Sequence, residues 1–236
     1  MRRVIVSIAI VVAVLAVPSL GADRPHPYLF FQADDIPGLR EKIQTDPVAG
    51  AAFAVMKQRV DENPEVVLPP ADAQIRTTYW RPIEHSAYTA RDAAFIYLMT
   101  GERRYLDIAV NYLQLYADNF DTQVDFHRLK DKSYMRVFLV GHFGGASAWA
   151  YDMVYNELTD DQRRHIEDKL LRGIVRMVKE SRPPNQSEGN MYEAPDAEWG
   201  PGQWNGIYFC NAGIAAIGFA LNDPELYNHA VDNFKT

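Results

Sequence analysis

The sequence predicts an all-α protein, an incomplete (α/α) toroid built from antiparallel helix hairpins. Three observations carry that prediction. Amphipathic segments (103–118, 159–180 and 224–235) alternate with more uniformly apolar ones (85–99, 134–156 and 206–221), the links between them alternate short and long, and strand-like patterning is confined to 28–31. A helix that is apolar all round must be buried all round, so the alternation implies apolar helices inside and amphipathic ones outside. Antiparallel hairpins then gather the short links (100–102, 157–158, 222–223) on one face and the long ones (63–84, 119–133, 181–205) on the other. Function is expected on the long-link face, where loops carry variable chemistry on a rigid scaffold. A solenoid of the tetratricopeptide kind competes, but only Tyr105-x3-Ala109 and Leu226-x3-Ala230 echo one another.

Each element has a local reason. Arg2 and Arg3 precede an apolar run from Val4 to Val17, followed by Pro18 and the small residues Ser19, Gly21 and Ala22. This pattern predicts a secretory signal peptide over residues 1–22, with residues 23–236 as the mature part. A retained membrane anchor is the alternative, though the run falls short of the roughly 20 residues a span needs. His26 to Phe31 reads as a short extended piece. A helix then opens at Asp34-Asp35 and runs through Leu39 and Ile43. Asp46-Pro47 supplies an N-cap and a proline at the first helical position for a second helix, running to about Val60. Asn63-Pro64 and Pro69-Pro70 punctuate the loop that follows.

In the segment 85–99, Ala87, Ala90, Ala94 and Tyr97 recur at helical spacing, and Gly101 supplies the stop. Tyr105, Ala109, Tyr112, Leu113 and Tyr116 form one face of 103–118. Thr159-Asp160-Asp161-Gln162 is a capping box opening a helix that carries Ile166, Leu170, Ile174 and Met177. Asp223-Pro224 starts the last helix.

The chain of 236 residues has a formal charge of -7, spread along its length, which argues against non-specific nucleic-acid binding. The single cysteine, Cys210, rules out an internal disulfide and sits among apolar neighbours as a core filler. His127 and His165 have no partners at metal-ligand spacing, and no metal or cofactor is indicated. His142, midway along an apolar segment, reads as a satisfied core histidine more readily than as a catalyst.

Polar and aromatic residues gather at the starts of the apolar helices. The first brings Trp80, Arg81 and His85, the second Lys132, Tyr134 and Arg136, the third Gln203, Trp204 and Asn205. Helix N-termini present free N–H groups and partial positive charge, which suit a carboxylate, and tryptophans suit stacking on sugar rings. An anionic glycan therefore fits this face. Asn205 also reads as a plain N-cap, Trp80 and Trp204 as core anchors, and Asp196 and Glu198 as solvated loop acids.

Three stretches carry a resemblance: His26 to Arg40; Ala148-Trp149-Ala150-Tyr151-Asp152 with Leu158-Thr159 and Gln162-Arg163; and Gln203-Trp204-Asn205-Gly206 leading to Cys210-Asn211-Ala212-Gly213-Ile214. Together they resemble heparinase II/III-like and oligoalginate-lyase-like polysaccharide lyases. The resemblance implies β-elimination on a uronic-acid polymer, such as alginate or a heparin-like glycan, and the signal pattern adds export to the periplasm or medium, without a membrane partner after signal cleavage. It implies that Asn205 neutralises the substrate carboxylate, with Gln203 and Trp204 lining the subsite. An asparagine–histidine pair found in some members is Trp204-Asn205 here, leaving the histidine role unfilled locally. The resemblance also sets a tyrosine base and antiparallel β-sheet layers beyond Thr236. The chain is thus expected to be a fragment of a longer enzyme, inactive alone, with Tyr208 as core. Full-rate depolymerisation by residues 23–236 would contradict this.

Two alternatives stay open. A glycoside hydrolase on a similar toroid would use paired carboxylates, for which Asp196 and Glu198 are the candidates. An exported, non-catalytic glycan-binding helical module is the other.

Overall fold

The computed structural model describes residues 25–70, 80–124, 140–181 and 205–235. The predicted signal segment lies outside them. The described residues are helical with no strand, so the protein is all-α over that part. A 3-10 turn at Ala33–Asp35 leads into α1 (Ile36–Thr45) and α2 (Pro47–Glu62). Then come α3 (Trp80–Thr100) and α4 (Arg103–Asn119), which runs on into a π-helical turn at Phe120–Val124. A second π-helical turn, Val140–Gly144, opens α5 (Gly145–Val154), and a 3-10 turn at Tyr155–Glu157 closes it. Next, α6 (Asp160–His165) and α7 (Arg172–Glu180) are joined by a π-helical stretch, Ile166–Leu171. The last pair is α8 (Asn205–Ala220) and α9 (Pro224–Lys235). Among the described residues, no helix is long and apolar enough to cross a membrane.

The expected caps form. The Asp46 carboxylate accepts from the amides of Val48 (2.8 Å) and Ala49 (3.1 Å), and those bonds hold its pKa below the ordinary value. Thr159 and Gln162 close the capping box from both sides, at 3.2 and 2.9 Å. Gly101 takes φ 75°, the left-handed conformation a helix stop requires, and its amide reaches the Tyr97 carbonyl at 2.7 Å. Asn222 takes the same conformation after α8, at φ 50°, a role its sequence did not announce.

The core joins α3, α4, α5, α7 and α8. The predicted face of α4 is buried as read: Tyr105, Ala109, Tyr112, Leu113 and Tyr116 have at most 1% exposure. Burying tyrosines obliges each hydroxyl to find a partner. Tyr112 shares a 2.6 Å hydrogen bond with Ser147 of α5, and Ser147 donates to the Phe143 carbonyl. Tyr116 donates to the Val67 carbonyl at 2.7 Å and so holds the loop before α3 against the core. Cys210 is buried as expected.

In sequence order, α3 packs on α4 and α5, α5 on α8, and α8 on α9. The crossing of the Val140–Gly144 turn with α8 is close because glycines face backbone there. A Cβ on Gly213 would stand 2.7 Å from the Val140 carbonyl carbon, and one on Gly141 would stand 2.5 Å from that of Phe209.

One expectation needs revision. The apolar helices are not buried on every side: each leaves a stripe open. On α3 it runs through Arg81, His85, Tyr88 and Arg91; on the α5 side it holds His142 and Trp149; on α8 it holds Tyr208, Phe209 and Ala212. Tyr208, expected in the core, is 46% exposed. On α3 the spacing i, i+4, i+7 keeps the stripe on a single helical face.

The segment from His26 to Phe31 forms no strand. It lies against the C-terminal ends of these helices. Asp152 of α5, 2% exposed, accepts from His26 Nδ1 at 2.6 Å and from the amides of Tyr28 and Leu29, each at 3.0 Å. The Tyr28 hydroxyl donates to the Phe219 carbonyl of α8, His26 stacks on Tyr155 at 3.8 Å, and Phe30 meets Trp149 edge-on at 4.2 Å. Arg40 of α1 donates twice to the Leu98 carbonyl, at 2.6 and 3.0 Å, capping the end of α3.

Candidate functional site

The three open stripes converge on one group of side chains. Tyr88 lies two turns into α3, and its hydroxyl is 2.6 Å from Nδ1 of His142. His142 occupies the π-helical turn that opens α5, a local widening that recurs at functional positions. Its ring stacks on Phe209 of α8, 4.8 Å between centroids and 25° between planes. All three are partly or largely open to solvent. The guanidinium of Arg91 sits 4.8 Å from the Tyr88 ring and 5.7 Å from the Trp149 ring, so cation–π attraction holds it over both.

Burial is the main force on the Tyr88 hydroxyl and raises its pKa above the ordinary phenol value of 10.0; the nearby charge of Glu84 adds to this, and Arg91 opposes it. The phenol is therefore protonated at neutral pH and available as a donor. Its partner Nδ1 can accept that proton when the imidazole is neutral, or donate to the phenol oxygen when both ring nitrogens carry protons. The pair can hold and move a proton at the open edge of three helices.

The predicted site residues fall around this pair as follows. Arg81 and His85 lie exposed on the α3 stripe that carries Tyr88, about two turns and one turn ahead of it respectively. Trp80 is the first residue of α3 and Asn205 the first of α8; of their side chains nothing is described. Asn205 is four residues before Phe209, which puts its backbone on the same helix face about 6 Å along the axis. Gln203, Trp204, Tyr134 and Arg136 lie outside the described residues, as do Lys132, His127, Asp196 and Glu198. Of the sequence candidates, Arg81 and His85 thus share a helix face with Tyr88, and the backbone of Asn205 shares one with Phe209.

Sequence reasoning missed the centre itself. His142 reads as core because its neighbours are apolar, yet it is half-buried and bonded to Tyr88. Tyr88 stood unremarked in an alanine-rich helix. The available signal was the run Arg81, His85, Tyr88, Arg91: four polar or amphipathic residues at one helical spacing through an apolar segment. His165, by contrast, pairs with exposed Asp118 at 2.7 Å on the amphipathic side. Among the described residues, no group of three His, Cys, Asp or Glu is placed to hold a metal ion.

No family model matches the chain, and no curated protein matches it.

Proposed function

We propose that this chain is the helical part of a polysaccharide lyase, an arc of an (α/α) toroid that acts by β-elimination on a uronic-acid polymer. The observation that carries the proposal is the Tyr88–His142 pair, flanked by Arg91 and Phe209, on the open stripes of α3, α5 and α8. The family resemblance of the sequence supplies the class of substrate.

Elimination needs three things. The substrate carboxylate must be neutralised so that the adjacent C5 proton becomes acidic, a base must take that proton, and an acid must protonate the departing glycosidic oxygen. In this reading Asn205, at the positive end of α8, donates to the carboxylate. Arg81 and His85 add positive or hydrogen-bonding groups along the α3 stripe. Tyr88 serves as the acid: its proton passes to the glycosidic oxygen while the imidazolium of His142 returns one to the phenol oxygen through Nδ1. The class that the resemblance implies uses a tyrosine as the base. Export to the periplasm or medium, where such polymers occur, belongs to the same proposal.

The product distinguishes this from hydrolysis. Alginate and a heparin-like polymer are incubated with the protein expressed from its complete reading frame, since the chain by itself is expected to be inactive. Elimination leaves an unsaturated uronate absorbing in the near ultraviolet, and Tyr88→Phe lowers its formation about 100-fold or more. New reducing ends without that absorbance would refute elimination.

A further inference from the structure

A recess opens beside Arg91, one turn along α3 from Tyr88. Phe30, Phe31, Met56, Phe95, Trp149 and Met153 line a cavity of about 320 Å³, within the range of small-ligand sites. A neighbouring cavity of about 200 Å³ extends between α1 and α2 along Leu39, Ile43 and Phe53. Met56 and Phe95 wall both, so the apolar space is elongated, and a methionine is a compliant partition within it. Sugar hydroxyls would go unpaired against such walls, which excludes a glycan as the occupant.

Arg91 and Asp92 are the charged residues of the larger cavity's lining, and Arg59 pairs with Asp92 from beside it. Asp92, 2% exposed, is paired with both Arg59 and Arg91. One carboxylate against two guanidinium groups leaves a net positive charge. Arg91 spends its Nε–H and one amino group on a single oxygen of Asp92, so not all of its five N–H donors are used there. An elongated apolar space with an excess guanidinium at its mouth matches an amphiphile with an anionic head.

We propose that this recess is a binding site for a straight-chain carboxylate of medium length, its head on Arg91 and its tail running past Met56. The recess shares Arg91 and Trp149 with the surroundings of the Tyr88–His142 pair, but its test is independent of the lyase reading because it measures affinity for a compound that is not a sugar.

The test is calorimetric titration of the full chain with decanoate, against decan-1-ol and decylammonium. Decanoate binds at least about tenfold more tightly than either, the difference a charged hydrogen bond makes. Affinity rises about fourfold per methylene from hexanoate upward until the space is filled. Arg91→Met removes the preference for carboxylate. Met153→Trp, which fills the cavity and leaves the rim intact, abolishes binding while the circular dichroism spectrum stays unchanged, and this variant decides the matter should Arg91→Met fail to fold. Equal affinity for decanoate and decylammonium, or undiminished decanoate binding by folded Met153→Trp, would overturn the proposal.

Discussion

Substituting Gly213 tests the packing that brings α8 to the histidine turn. An added Cβ would stand 2.7 Å from the Val140 carbonyl carbon and closer still to its oxygen, where ordinary contact begins at 3.4 Å. The obstacle is backbone, so no side chain can rotate away. The turn and α8 must part by roughly 0.7 Å or more, across a region packed at crystal-like density. Overpacking of this kind costs about 3 kcal/mol, the upper end of its usual range, and the better helix propensity of alanine returns about 1 kcal/mol. Gly213→Ala is therefore expected to destabilise by about 2 kcal/mol, a fall in Tm of roughly 4–8 °C for a chain of this size. Gly38→Ala is the matched control: Gly38 is also helical, has nothing within 4 Å of the added carbon, and should gain up to about 1 kcal/mol. Urea denaturation of both variants gives the comparison. A Gly213→Ala protein as stable as Gly38→Ala would show that the close crossing is absent, and with it the contact that sets Phe209 on His142.

Asp152→Ala removes the acceptor of three hydrogen bonds from the segment at His26–Leu29. It should cost about 3 kcal/mol and speed hydrogen exchange at the Tyr28 and Leu29 amides, leaving the exchange of α4 little changed; protection of both amides in the variant would contradict the anchoring role. The protein should also lose stability in alkali. Burial raises Tyr112 and Tyr116 above the phenol value of 10.0 and pushes Cys210 from 9.0 up to about 12. For each group the fold favours the protonated form. Stability is therefore complete below pH 9.0 and declines as pH rises through 9.0 to about 12, by roughly 1.4 kcal/mol per pH unit for each fully buried group. Urea midpoints measured between about pH 8 and about pH 11 check the sign, and all 13 tyrosines titrating together near pH 10.0 in the folded protein would refute it.

Most of the helices were legible because their signals are local. The Asp46 cap, the Thr159–Gln162 box and the Gly101 stop depend on residues within one turn, and each stands where the sequence places it. The tyrosine face of α4 was legible for the same reason, since one periodicity decides it. The π-helical turns at Val140–Gly144 and Ile166–Leu171 were not: they change the periodicity by one residue inside otherwise helical stretches, and no residue type marks them. Tyr208 was misread as core because an uncharged helix implies burial all round, whereas α8 leaves one stripe open beside those of α3 and α5. The Tyr88–His142 contact was illegible for a plainer reason. It joins residues 54 apart, and neither carries a spacing that names the other. The Asp152 anchor spans 126 residues to His26 and was equally silent.

The claim that the leading ends of α3, α5 and α8 receive a uronate is tested most directly by affinity. A short oligouronate and its carboxyl-reduced counterpart are titrated into the full chain and into Asn205→Ala. The account predicts binding of the acidic sugar alone, weakened about 10- to 100-fold when the asparagine amide is removed. Equal affinity for the two sugars, or affinity untouched by Asn205→Ala, would contradict it.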